Sequence, residues 1–414
     1  MRNTRLVPVL ALVAFAACAD QPTAPEGGDG QGKIAAARQP AVKFWHGLAS
    51  VTWNELATQL TFQHAVDASR LYAYLSLAQY SAARAAELSG NPHPPVSAAI
   101  GAASAVVLSS FFQSQTTVIE AALDAQEAAP PWPGSKHEDF AAGEAIGRTV
   151  GAAVMAWAAS DGVGLTDPGT PPVGPGYWPW TPGSPMVRGH LGARAFFLES
   201  RDEFRSPPPP AFNTQAFVGG LAEVRQISDT RTAEQTAIAN YWNLNQSGRA
   251  NAVWNRMAQE LIVRYRRSDA EATRILFLAN AAAFDALIGC FDAKYHYWLI
   301  RPSQADPGIV TVFPPPPFPA YPSAHSCASG AMSGVLARAF PSERAQLEEL
   351  AQQSSLSRLY AGIHYRFDMV AGLELGGAVA GKAWDADLVT QVIGEVAEAA
   401  ARSAGRGAAR RTSE

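Results

Sequence analysis

From Ala41 onward, apolar residues recur with a helical period, and no alternating run of β-branched residues persists over six positions. This patterning predicts helices over roughly 50–88, 95–127, 136–160, 214–225, 232–241, 253–266, 269–299, 326–339, 342–356 and 364–385. Proline-rich connections separate them. The stretch 162–189 contains PGTPPVGPGYWPWTPGSP, 206–210 is SPPPP, and 302–322 carries PPPPFPAYP. Proline at that density continues neither a helix nor a central strand. Loops this long in a compact domain often carry function. No repeat or sharp change of composition interrupts 41–400, so a single all-α domain is expected there. The segment 96–112 is apolar but short for a bilayer and holds four serines, which reads as a buried core helix.

The N-terminus stands apart. Arg2 and Arg5 precede an apolar run from Leu6 to Ala17 that is too short to span comfortably and ends in small residues, as a secretory signal does. Phe15-Ala16-Ala17-Cys18 resembles a bacterial lipobox, which would leave Cys18 as a lipidated N-terminus. An ordinary cleavable signal over 1–18 with an incidental Cys18 is the alternative. Residues 19–40 then form a flexible tether, and 401–414, rich in Arg, Gly and Ser, a disordered tail. Export to the periplasm or cell envelope is expected, with membrane contact only through that lipid.

Composition narrows the function. The 414 residues are 48% hydrophobic and 16% charged with a net charge of −4, which supports a large core and excludes wholesale disorder. Near-neutral charge without a long basic block argues against a nucleic-acid partner. Three cysteines build neither a disulfide framework nor a four-thiolate zinc site. His46, His64, His93, His137, His190 and His296 show no HExxH or paired-ligand spacing, so a zinc hydrolase is not expected. His296 reads as structural, and Cys290 and Cys327 as two buried thiols rather than a disulfide.

Candidate chemistry gathers in the C-terminal third. Lys294 and Arg301 lie seven residues apart on a predicted helix ended by Pro302, so two turns with a drift of only ~20° place both on one face. Pro322-Ser323-Ala324-His325 opens a small-residue helix, whose unpaired N–H groups and positive dipole end form an anion cradle. Ser357-Arg358 follows, then His364 and Asp368, an i,i+4 pair in which the carboxylate can hold one imidazole nitrogen. Singly, each residue reads as solvated surface, a satisfied polar group or a simple cap. Together they describe a site for a tetrahedral oxyanion. Lys294, Arg301 and Arg358 neutralise its oxygens, Ser323 and the Ala324 N–H add neutral donors, one histidine binds the central atom, and the other serves opposite as acid or base.

The pattern Lys-x6-Arg-Pro, Pro-Ser-(Gly/Ala)-His and Ser-Arg-x5-His-x3-Asp resembles the signature joining type 2 phosphatidic acid phosphatases, bacterial acid phosphatases and vanadium-dependent haloperoxidases. All spacings fit, with Ala324 standing where Gly is usual. PPFPAYPSAH at 316–325 is similar to the fungal vanadium chloroperoxidases. DAKYHYWLIRP at 292–302, Trp254-Asn255 and FRSPPPPAF at 204–212 are similar to exported bacterial haloperoxidase-like proteins. The likeness runs from Val42 to Asp385, most strongly after Asp202. It implies an all-helical fold of two four-helix-bundle-like halves.

The resemblance also implies roles. His364 would coordinate the vanadium of vanadate. Lys294, Arg301, Ser323, Ala324 and Arg358 would hold its oxygens, and His325 would be the acid–base group. Phe291 and Phe318 match aromatic positions near the halide, with ordinary core packing as the alternative. The implied reaction oxidises halide with hydrogen peroxide to hypohalous acid, which then meets a small organic acceptor. In the phosphatase branch, phosphate chemistry occupies the same site. His364 is then the phosphate-accepting nucleophile on a phosphomonoester, oriented by Asp368, and His325 protonates the leaving group. A third reading is a surface lipoprotein that binds phosphate-like anions without turnover. Halide preference, natural substrate and oligomeric state have no signature in the chain.

Overall fold

The structure is a computed structural model in which residues 48–89, 94–129, 140–181, 184, 186–243, 249–385, 389–391 and 393–394 are described. The expected signal segment (1–18), tether (19–40) and tail (401–414), with Cys18, His46, His93 and His137, lie outside these residues. Among the described residues there is no strand, only an isolated bridge between Tyr177 and Leu299, and the all-α expectation holds.

Two of the long expected helices are each broken once. Helix α1 (Ala49–Gln63) stops before α2 (Ala68–Leu88), because the Asp67 side chain accepts the Arg70 N–H and starts a new helix. Helix α3 (Val96–Phe111) gives way at Phe112 to a 3-10 turn and then α4 (Thr116–Ala128). With α5 (Phe140–Ala158), α2 and α3 pack on one another, while α1 and α4 lean on α3. Helix α3 is enclosed in this group, as expected of a core helix.

After α6 (Gln215–Thr230), α7 (Ala233–Tyr241) and α8 (Arg249–Arg264) comes the longest described helix, α9 (Asp269–Tyr297). Ser268 and Glu271 form a capping box at its start. It is apolar on nearly every face, the pattern of a helix surrounded by others. Among the described residues only α9 is long and apolar enough to cross a membrane, and its apolar window is wholly buried in the fold. It packs on α2 on one side and on α11 (Ala324–Ala339) and α13 (Arg366–Ala383) on the other. The short α10 (Pro302–Ala305) and α12 (Arg344–Tyr360) complete the C-terminal group.

Buried polar contacts fix how the helices register. Asn280 donates to Asn255, Asn255 to Asn54, and Asn54 to Gln79, a chain that joins α9, α8, α1 and α2. Because every amide here is buried, sliding one helix would strand a donor. The Asp285 carboxylate in mid-α9 accepts the N–H groups of Phe196, Phe197 and Leu198, which pins the preceding loop to the helix.

The seam between α11 and α13 matters most for the site. A Cβ on Gly376 would sit 2.1 Å from the Cys327 carbonyl oxygen, and one on Gly372 would sit 2.8 Å from the Ser323 carbonyl oxygen. The two backbones therefore touch, and the start of α11 is held directly against the start of α13. Gly376→Ala is expected to lower stability by about 2 kcal/mol, because the added methyl must push apart backbone rather than a flexible side chain. Urea denaturation checks this; an unshifted midpoint would show that the seam yields freely.

Candidate functional site

Four helix ends meet at one end of the C-terminal group. Lys294 lies near the C-terminus of α9 and Arg358 in the last turn of α12, where cations offset the negative ends of the helix dipoles. Ser323 caps α11, Ala324 and His325 open it, and His364 and Asp368 flank the start of α13. Helix α11 begins two residues earlier than the patterning suggests, which places His325 in its first turn. The N–H groups of Ala324 and His325 precede the first intrahelical bond, made by Cys327 N–H to the Ser323 carbonyl. Lys294, Arg301, Ser323, Ala324, His325, Arg358, His364 and Asp368 thus come together.

Arg301 arrives by a route the spacing did not foresee. Helix α9 ends at Tyr297, Trp298 takes a left-handed conformation (φ 53°), and the chain continues extended to Arg301, the N-cap of α10. The same-helix-face argument for Lys294 and Arg301 is therefore wrong, although the pair still converges. Both cations lie against the Phe318 ring, with Lys294 Nζ 5.0 Å and the Arg301 guanidinium carbon 4.9 Å from its centre. The expected His364–Asp368 contact also forms through different local structure. Helix α13 starts only at Arg366, and Asp368 Oδ2 reaches back to accept from the Tyr365 N–H (3.1 Å) and His364 Nδ1 (2.8 Å).

The ammonium of Lys294 points into three carbonyls, Pro319 (3.1 Å), Ala320 (2.8 Å) and Pro322 (2.5 Å). Its three protons are accounted for there. Lys294 thus shapes the 319–322 turn and brings its charge to the cavity edge. Arg301 donates through Nε to the Phe318 carbonyl and through Nη1 to Ile363, with His364 Nε2 3.0 Å from the same nitrogen. Arg358 Nη1 donates to the Trp242 carbonyl at 2.9 Å and lies against the Phe313 ring. Arg301 Nη2, Arg358 Nε, Asp368 Oδ1 and the Tyr365 hydroxyl are buried with no partner among the described residues.

The electrostatics point one way. Lys294, Arg301 and Arg358 are all buried, and none forms an ion pair with a carboxylate among the described residues. Burial pushes Lys294 down to about 8, Arg301 to about 10 and Arg358 to about 9. Burial pushes Asp368 up to about 7, against the pull of Lys294, the Tyr365 N–H and Arg301. Burial, reinforced by Arg301 and Lys294, holds His364 far below its ordinary value, so the ring is neutral. Its Nδ1–H donates to Asp368, which leaves the lone pair on Nε2 beside Arg301. His325 is likewise held neutral by burial and Arg358. His325 Nε2 lies 2.6 Å from the Trp242 carbonyl, an acceptor, and 2.7 Å from Arg358 Nη1, a donor. Buried cations with unsatisfied N–H groups and helix-tip amides fit a guest oxyanion, and vanadate or phosphate has the required acceptor oxygens.

Phe291 and Phe318 pack edge to face with ring centres 5.2 Å apart, in an aromatic group with Trp178, Tyr295 and Trp298 beside the cations. Sequence reasoning missed Trp242, whose carbonyl serves both His325 and Arg358 and whose indole N–H donates to Gln353. A backbone acceptor has no residue-type signature. It also missed Tyr365, whose only signal was an aromatic residue beside His364. Cys290 and Cys327 are free and buried, as expected. His296 remains outside the constellation.

Residues 274–387, which contain every charged and imidazole group of this site, match the PAP2 superfamily model. A bacterial vanadium-dependent iodoperoxidase of known structure is 25% identical, with a TM-score of 0.66, over 81% of this chain and 94% of that one. An apo-type bacterial vanadium-dependent chloroperoxidase superposes with a TM-score of 0.65 at 15% identity, covering 79% of this chain and 94% of that one. A holo-type bacterial chloroperoxidase gives 0.60 at 16%, covering 86% and 92%. No curated protein matches the chain. The resemblance read from the signature holds: residues 274–387 match the PAP2 superfamily model, and the fold is similar to that of the vanadium-dependent haloperoxidases.

Sulfate affinity in this cavity is expected to start falling as Asp368 ionises near pH 7 and adds negative charge to the site. Binding should then weaken further as pH rises through about 8, because Lys294 loses its proton there while sulfate keeps its charge. Titration calorimetry across that range reads the effect, and affinity that stays level through the alkaline arm contradicts it.

Proposed function

We propose that this chain is a vanadate-dependent haloperoxidase that uses hydrogen peroxide to oxidise halide to hypohalous acid. The observation that carries the reading is the buried set of Lys294, Arg301 and Arg358, two of them with unpartnered N–H groups, gathered around His364, whose Nε2 lone pair lies 3.0 Å from Arg301 Nη1. Vanadate bound there supplies a Lewis-acidic centre that activates peroxide toward halide. In this reading His364 Nε2 would hold the vanadate, with its tautomer set by Asp368. Arg301 and Arg358 donate to the oxygens, Ser323 and the Ala324 N–H add neutral donors, and Lys294 supplies positive charge from its carbonyl clamp. His325, held neutral beside Arg358 and the Trp242 carbonyl, would be the acid–base group that takes up a proton from peroxide. Phe318 and Phe291 wall the cavity, exclude water and give halide an apolar surface. Small organic molecules would receive the oxidised halogen.

The superfamily match supports a second reading, an acid phosphatase acting on phosphomonoesters. There the His364 lone pair attacks phosphorus in line, Asp368 steadies the ring, and His325 protonates the leaving oxygen. The same donors would hold both guests, because vanadate and phosphate offer the same kind of acceptor oxygens to the same cations. We further propose export to the cell envelope, which rests on the signal-like N-terminal sequence.

The test gives the purified protein vanadate, peroxide and bromide with a halogen-acceptor dye, and separately p-nitrophenyl phosphate without vanadate. Halogenation that requires vanadate is expected. Phosphate release that vanadate inhibits would establish the second reading instead. Silence in both from a folded protein would leave only anion binding. His364→Ala is expected to lower either activity at least about a thousandfold with the circular dichroism spectrum kept; a variant of wild-type rate removes His364 from the chemistry.

A further inference from the structure

The aromatic wall beside the cations is gripped by a segment that the mechanism leaves unused. Residues 187–190, in the long connection between α5 and α6, lie against Phe291. The Val187 N–H donates to the Pro317 carbonyl (3.1 Å), one residue before Phe318. The Val187 carbonyl accepts from the Tyr295 hydroxyl, one turn after Phe291 on α9. Gly189 (φ 55°) comes so close that a Cβ there would stand 2.3 Å from Phe291 Cζ and 2.4 Å from both Cε atoms. Only glycine accepts both that dihedral and that approach.

The end of this strap is tied to α2 through His190. The imidazole is buried, with Nε2 2.8 Å from the Ser69 hydroxyl and 3.4 Å from Asp67 Oδ2. Ser69 gives its own proton to Asp67 Oδ1 (2.6 Å), so both neighbours of Nε2 accept and Nε2 is the donor. Asp67 is itself fixed, as the cap that accepts the Arg70 N–H at the start of α2. On its other side the imidazole meets aromatic rings, at right angles to Phe284 with centres 4.7 Å apart and 6.3 Å from the centre of Phe291. Nδ1 is buried there with no partner among the described residues. The bond from Nε2 is thus the polar tie of the His190 side chain.

We propose that His190 is a positioning residue for the halide surface: by tying 187–190 to α2 it keeps Gly189 pressed on Phe291 and so fixes where that ring stands against Phe318. The tether rests on the geometry alone, and its consequence for halide rests on the haloperoxidase reading. Phe291 has no polar atom to locate it, so packing alone sets its place. Its edge-to-face partner Phe318 is the ring that lies against Lys294 and Arg301, which makes the pair the apolar side of the cation cavity. A halide that enters there gives up water. Rings already in place receive it without a further ordering cost, whereas rings that must first be ordered weaken its binding.

The experiment compares the full chain with its His190→Ala, His190→Gln, Ser69→Ala and Gly189→Ala variants. Amide hydrogen exchange is followed by mass spectrometry without vanadate, phosphate affinity by calorimetry, and bromide KM and kcat with vanadate and peroxide. In His190→Ala and Ser69→Ala, the peptide covering 187–193 should exchange about tenfold faster while the start of α11 keeps its rate. Bromide KM should rise about tenfold with kcat and phosphate affinity held within about twofold, the pattern of lost halide binding alone. His190→Gln, whose Nε2 donates to Ser69 as the imidazole does, should restore both. Gly189→Ala keeps the tether but displaces the ring, so KM should rise without the faster exchange. Unchanged exchange in His190→Ala overturns the tether. Faster exchange with an unmoved bromide KM overturns the role at the halide surface. A joint fall in kcat and phosphate affinity that glutamine does not rescue makes His190 general packing and overturns the proposal. Unmodified protein that does not halogenate refutes the haloperoxidase reading and the halide half with it, while the exchange still decides the tether.

Discussion

Three positive charges taken out of water, none ion-paired with a carboxylate among the described residues, are the constraint around which the C-terminal half is organised. Each would be strongly destabilising in isolation, since burial of an unpaired charge costs several kcal/mol. The fold offsets part of this cost with carbonyls, at Pro319, Ala320 and Pro322 for Lys294, Phe318 and Ile363 for Arg301, and Trp242 for Arg358. Aromatic faces contribute at Phe318 and Phe313. What remains unsatisfied is directional and concentrated, a set of donors that an oxyanion would fit. Stability and recognition are thus two aspects of one electrostatic arrangement.

The rest of the architecture delivers helix ends to that arrangement. The starts of α11 and α13 present amide groups and positive dipole ends, and the close ends of α9 and α12 carry cations. Glycines let α11 and α13 touch, so Ser323 and Asp368 share a backbone hydrogen bond from the Ser323 N–H to the Asp368 carbonyl at 2.9 Å. A site of this kind depends on backbone placement to a fraction of an ångström. The buried amide chain from Asn280 to Gln79 fixes the scaffold behind it.

Much of this was legible in the chain. Helical periodicity marked nearly every helix, and the spacing of Lys294, Arg301, Ser323, His325, Arg358, His364 and Asp368 marked the site. The misses have physical causes. The break at Asp67 was hidden because a capping aspartate interrupts no apolar period. Arg301 was assigned to the face of Lys294 because nothing in YHYWLIRP announces that Trp298 turns left-handed. The Trp242 carbonyl and the carbonyl clamp on Lys294 were invisible, since main-chain acceptors are common to all residue types.

The clamp on Lys294 has a consequence for what the position tolerates. An ammonium is a tripod that can serve three acceptors converging from one side, whereas a guanidinium is a flat plate whose donors diverge within its plane. Arginine would keep the positive charge yet leave at least one of the Pro319, Ala320 and Pro322 oxygens without a proton. The shape of the head group, as much as its sign, therefore fits lysine to this place in the wall.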